Sequence, residues 1–175
     1  MKNTIKLSRL ILFILLYVIV FSSCKKDEAQ PDYAGTWVVT GAYTLGNMTF
    51  EMKDILTLSK GSFSDVIQIK DPTNNKWINA SGIKGSVSAN ENLLTFIIQE
   101  IGVSSVNVVT QMPTGTLEYY KDGQTEFDDL LSANDLVKTY NSEYSIADNT
   151  LTLKTDINED QDYNDAGETI LYTRQ

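Results

Sequence analysis

The chain has no histidine, one cysteine and three prolines among 175 residues, and its longest unbroken apolar run is twelve residues. Without an imidazole that titrates or ligates near neutrality, Ser-His-Asp and Cys-His nucleophile systems, HExxH metalloprotease sites and the common zinc sites are excluded. A lone cysteine has no intramolecular disulfide partner, and beyond position 24 no thiol is present at all. Twelve apolar residues are too few to span a bilayer, which takes about 20. Basic residues are scarce as well, at 14 Lys and Arg against 23 Asp and Glu. Three of the basic residues, Lys2, Lys6 and Arg9, precede residue 24 and no acid does, so the remainder carries 11 basic and 23 acidic groups, a formal charge of −12. Such a surface repels phosphate backbones, and no basic stripe with interleaved aromatics offsets it, so no nucleic-acid partner is expected. Neither GxSxG, nor a P-loop, nor GxGxxG occurs.

What the N-terminus does have is a basic stretch to Arg9, the apolar run Leu10 to Phe21, and then Ser22, Ser23 and Cys24. The order and the length are those of a cleaved secretory signal peptide over 1–23. Phe21-Ser22-Ser23-Cys24 resembles a lipobox, with Phe21 where Leu is usual, which implies a lipid on Cys24. The competing reading is an incidental thiol beside an ordinary signal peptide. Several acyl chains, each methylene contributing about 0.8 kcal/mol on burial, make a stable anchor where one chain is marginal. Residues 24–33 then read as the lipidated Cys and a flexible polar tether. Lys26-Asp27-Glu28 within it resembles the surface-export signal of Bacteroidota lipoproteins, which implies an outer-membrane protein displayed at the cell surface. A plain solvated spacer reads the same way by composition.

From residue 34 to 175 short β-rich runs alternate with turn signals, the pattern of an antiparallel sandwich or barrel. Strands are expected over Gly35 to Leu45, Phe50 to Leu58 and Phe63 to Ile69, with Asp71 to Asn75 turning onto Trp77. Further turns are read at Asn90 to Asn92, at Gly102, at Pro113 to Gly115 and at Asp122-Gly123. Leu93 to Ile98 is apolar in both phases, which predicts a strand buried on both faces. Between Thr125 and Tyr140 the spacing turns helical, through Phe127, Leu130 and Leu131 and then Leu136, Val137 and Tyr140. One or two short helices are predicted there, with Ser132 or Asn134 as a cap for the second. Strands return at Tyr144 to Ile146, Leu151 to Leu153 and Thr169 to Thr173.

Gly35-Thr36-Trp37 on the first strand, Tyr144 to Leu153 near the end and the terminal Leu171-Tyr172-Thr173-Arg174 together resemble the lipocalin-like lipoprotein domains of Bacteroidota. The resemblance covers most of residues 34–175 and is carried by the order of short motifs. It implies an all-β, antiparallel up-and-down barrel of the lipocalin or calycin kind, with about 8–10 strands here and one short helical insertion. It also implies that a Gly-x-Trp tryptophan is packed by an arginine from the last strand. Arg174 is the only arginine after Arg9, so a Trp37–Arg174 pair closing the barrel end is expected, contributing about 0.5 to 2 kcal/mol. Trp37 as an ordinary core aromatic is the plainer alternative.

The densest chemical feature runs from Asp156 to Glu168, six carboxylates in thirteen residues with no basic group among them. Asp156, Asn158, Asp160 and Asp162 fall at every second position, as oxygen ligands do in an EF-hand loop, and Asp165 and Glu168 could complete a Ca²⁺ site. Gln161 stands where the loop needs Gly, and the final acid comes one residue late. The alternative is an acidic hairpin tip kept soluble by its charge. Glu126, Asp128 and Asp129 are the other acid cluster. A glycosidase needs two facing carboxyls at about 5 to 9.5 Å, whereas acids at a helix N-terminus commonly complement the dipole.

Trp77, Phe96, Tyr119 and Tyr120 are the candidate walls of a ligand pocket, since binding sites are concave and mainly apolar. The expectation is therefore a monomeric, non-enzymatic barrel, anchored to the bilayer by its N-terminal lipid and binding a small apolar or amphipathic molecule. The alternative is a surface interaction module whose barrel is filled by its own side chains and whose loops bind a protein or glycan. A carboxylate hydrolase ranks below both.

Overall fold

The computed structural model describes residues 30–175 apart from 46–47, 111, 157–162, 164 and 166. The signal segment, Cys24 and the tether up to residue 29 lie outside the described residues. From Pro31 onward the chain forms nine strands and one helix. The strands are β1 (Gly35–Leu45), β2 (Met48–Ser59), β3 (Ser62–Lys70), β4 (Trp77–Asn90), β5 (Leu93–Val106), β6 (Pro113–Lys121), β7 (Thr139–Ala147), β8 (Thr150–Thr155) and β9 (Thr169–Arg174). The helix α1 (Thr125–Ala133) lies between β6 and β7.

Every pairing is antiparallel, and eight strands close into a ring in the order β1-β2-β3-β4-β5-β7-β8-β9, with β9 returning to β1 at Trp37↔Arg174. The all-β barrel expected from the sequence is the fold observed. Closure removes the unpaired edges that an open sheet would present. The ninth strand shares β5 with β7. The first part of β5, Leu93 to Ile97, pairs with β7, and from Glu100 to Val106 the same side of the strand pairs with β6. The handover falls near Ile98, whose N–H donates to Lys138 O at 2.8 Å on the segment leading into β7.

Period-two alternation decides what faces inward. On β1 to β3 the phase containing Trp37, Leu56, Leu58 and Phe63 is buried, and so are Leu94, Phe96 and Ile98 on β5. Phe96 is the hub, with Phe63 edge-on at 5.1 Å between centroids and Tyr140 stacked at 4.9 Å. These residues, with Leu151 from β8, fill the end of the barrel that carries the short β2–β3 and β4–β5 turns.

Three local readings of the sequence are corrected. Gly102 is not a turn but lies in the middle of β5, and Pro113 opens β6, with Gly115 inside it in a left-handed conformation (φ 89°). Leu93 to Ile98 is buried on one face only, since Ile97 is 38% exposed. Of the one or two helices expected between Thr125 and Tyr140, one is present: Asn134 ends it, its side-chain amide donating to Leu130 O at 2.8 Å, and Leu136 to Lys138 lead into β7. Phe127 is the fully buried residue of α1, with Leu130 and Leu131 packed beside it on the core, as the i, i+3, i+4 spacing requires.

Candidate functional site

At the end marked by Trp37, the barrel is sealed by its first and last strands. The Arg174 guanidinium lies 4.3 Å from the centre of the Trp37 ring, and its Nη2 donates to Asp32 O at 3.0 Å. The Trp37 indole N–H donates to Tyr33 O at 2.8 Å from a fully buried position. The two residues singled out in the sequence are thus brought together, and they tie the segment entering β1 to the end of β9.

Beyond the aromatic hub the interior changes character. Register pairs Leu56 with Asp65 and Asp54 with Ile67, so both aspartates share the inward phase of β2 and β3, diagonal to one another. Asp54 is 9% exposed, and its Oδ2 accepts a hydrogen bond from the Tyr172 hydroxyl of β9 at 2.8 Å. Asp54 Oδ1 and Asp65 Oδ1 are, among the described residues, the buried side-chain atoms with no hydrogen-bond partner. Burial, followed by the hydrogen bond to Asp54 and its negative charge, pushes the Asp65 carboxyl well above the ordinary carboxylate range. Burial and then these two acids also keep the Tyr140 and Tyr172 phenols above the usual tyrosine range.

Asp65 borders a cavity of about 290 Å³ whose apolar walls include Ile67, Ile83, Ile101, Val103 and Leu136. The wall is composite. Ile83 and Ile101 are register partners of β4 and β5, and Leu136 comes from the segment after α1, at the level where β5 exchanges β7 for β6. A second hollow of about 560 Å³ lies between the β3–β4 turn and the β5–β6 loop, bordered by Phe50, Ile78, Met112 and Pro113. Both hollows have more apolar than polar wall, the character of small-molecule sites.

The four aromatics expected to line a pocket stand elsewhere. Phe96 is buried in the hub, and Tyr120 packs against the core. Trp77 lies on the face of the sheet opposite Asp54, with Lys53 Nζ 4.2 Å and Lys70 Nζ 5.8 Å from its ring centre. Tyr119 lies over Gly102, on the face opposite Ile101, with Lys84 Nζ 3.6 Å from its ring centre.

Of the acidic loop, Asn158, Asp160 and Asp162 lie outside the described residues. Glu168 is 3% exposed, and its Oε2 accepts from Asp165 N–H at 3.1 Å, while Thr155 N–H donates to its carbonyl at 2.9 Å. Asp156 stands at the end of β8. Among the described residues no group of three or more His, Cys, Asp or Glu side chains gathers where it could hold a metal ion. Glu126, Asp128 and Asp129 are exposed on α1, away from the cavity.

Sequence reasoning passed over Asp54 and Asp65, although a signal was present. Each acid falls in phase with apolar neighbours, Asp54 with Leu56 and Leu58, and Asp65 with Phe63 and Ile67, where an outward acid would fall between them. The fold and cavity define a closed antiparallel β-barrel with an apolar hollow bordered by one acid. No protein-family model and no curated protein matches the chain.

Proposed function

We propose that the protein is a lipid-anchored, extracytoplasmic barrel of lipocalin-like kind that binds a small amphipathic molecule and catalyses no reaction. The observation that carries the reading is the 290 Å³ cavity, apolar on most sides and bordered by one buried acid. This size suits a compact ligand, near the lower end of the range of about 300 to 1,000 Å³ found for ligand sites. The segment 1–23 and Cys24 supply export and attachment in this reading, and Lys26-Asp27-Glu28 favours display at the cell surface. Native mass spectrometry and solvent extraction of the full chain, purified in detergent from a bacterial host, test it. A co-purifying molecule of defined mass is expected.

A second reading rests on the β5–β6 loop, where Val108 and Val109 are 84% and 87% exposed beside Val106 at 55%. An apolar loop tip of this kind suits a macromolecular partner. A chain that carries no small molecule and takes none up would favour it.

A further inference from the structure

Unpaired buried carboxylate oxygens are costly, because each has given up water without gaining a donor. The proton that Asp65 retains lets it share a hydrogen bond with Asp54, but none of the groups facing it supplies a positive charge. From β2 comes Asp54, a second acid; from β9 Tyr172, whose hydroxyl is already given to Asp54; and from β7 Tyr140. β4, β5 and the segment after α1 contribute Ser81, Ile83, Ile101, Val103, Asn134 and Leu136, none of them charged. The lysines of the flanking strands, Lys53 and Lys84, lie on the opposite face of the sheet against Trp77 and Tyr119. Among the described residues the interior thus gathers two acids and no cation, beside an apolar hollow.

We propose that this is an ammonium site: Asp65, backed by Asp54, takes the protonated amine of a small amphipathic ligand whose hydrocarbon body fills the cavity between Ile67, Ile83 and Ile101. The inference rests on the cavity being a ligand site and adds the chemistry of the ligand's polar end. An ammonium supplies three N–H donors and a full positive charge, which answers both deficits of the acid pair. A hydroxyl supplies one donor and no charge. A carboxylate would bring a further acid to the pair and no donor.

A linkage follows. Without ligand, Asp65 holds its proton to a higher pH than an exposed aspartate. An arriving ammonium favours the carboxylate, so binding expels that proton. Affinity for the amine therefore rises with pH until Asp65 ionises unaided, and then levels off.

Calorimetric titration of the full chain with hexylamine, 1-hexanol and hexanoate at pH 7 tests the assignment, because the three share one hydrocarbon body. Hexylammonium is expected to bind about tenfold or more tighter than hexanol, the factor that one hydrogen bond to a charged group supplies, and hexanoate least. Repeated over a pH series, the heat should vary with buffer ionisation enthalpy in the sense of proton release at low pH, and this dependence should fade as pH rises through the Asp65 titration. In Asp65→Asn the preference for amine over alcohol should vanish while hexanol still binds. Should that variant fail to fold, the wild-type ranking and the proton release still decide. Equal binding of amine and alcohol, or an amine preference that survives Asp65→Asn, would overturn the ammonium site and leave the cavity reading standing. Binding of none of the three would remove both.

Discussion

Trp37 and Arg174 form the clearest single contact between the two ends of the barrel chain. The indole is fully buried with its N–H satisfied, and the guanidinium spans both the ring and the Asp32 carbonyl. Removing the ring leaves a large void at a cost of about 3 to 5 kcal/mol. Removing the guanidinium takes away a stacking contact and a hydrogen bond, about 1 to 3 kcal/mol together. The two losses overlap, so Trp37→Ala with Arg174→Ala should cost less than their sum by about 0.5 to 2 kcal/mol. Urea unfolding of the four proteins measures this, with Trp37→Phe in place of the alanine if the latter does not fold; strict additivity contradicts the account. This pair was expected because Gly35-Thr36-Trp37 resembles a motif whose tryptophan is packed by a last-strand arginine, and Arg174 is the only arginine after Arg9. Asp54 and Asp65 were not, because an acid on a strand is ordinarily solvent-facing, and only their phase against neighbouring apolar residues marks them as inward.

Among the elements, β5 explains both what could and what could not be read in the sequence. Its first half has the apolar run of a core strand, but a run of consecutive apolar residues does not say whether one face or two are covered, and here Ile97 is left on the outside. Gly102 resembles turn punctuation, yet in the strand it is the position where another side chain comes close. A Cβ there would stand 2.6 Å from the Tyr119 ring. Gly85 on β4 is tighter still and lies at the register shift after Lys84, where a Cβ would stand 1.9 Å from Ile97 O of the paired strand. Backbone across a ladder cannot move aside as a side chain can. Gly85→Ala should therefore destabilise by about 3 kcal/mol or more and Gly102→Ala by about 1 to 2, since Tyr119 can rotate away. Gly41→Ala, with nothing within 4 Å, serves as the near-neutral control. Equal costs at Gly85 and Gly41 in chemical denaturation would refute this account of the register shift.

At the scale of the whole molecule the barrel has two halves with different contents. The half around Phe96 is packed solid by Trp37, Leu58, Phe63, Leu94 and Leu151. The other holds the aspartates, the Tyr172 hydroxyl that donates to Asp54 and the hollow, which is walled in part by the segment between α1 and β7. The antiparallel all-β pattern could be read from the turn spacing, whereas closure was implied only by the resemblance and the strand count was bounded at about 8–10. The division into a filled and a hollow half could not be read, since it depends on which inward side chains meet across the barrel rather than on any one strand. The most direct test is methyl NMR of the isoleucine-, leucine- and valine-labelled full chain during titration with hexylamine. The account predicts saturable shifts at Ile67, Ile83, Ile101, Val103 and Leu136, with Leu58, Leu94 and Leu151 unmoved. Shifts confined to Val106 at the end of β5 and to Val108 and Val109 on the β5–β6 loop, or no saturable shift at all, would contradict it.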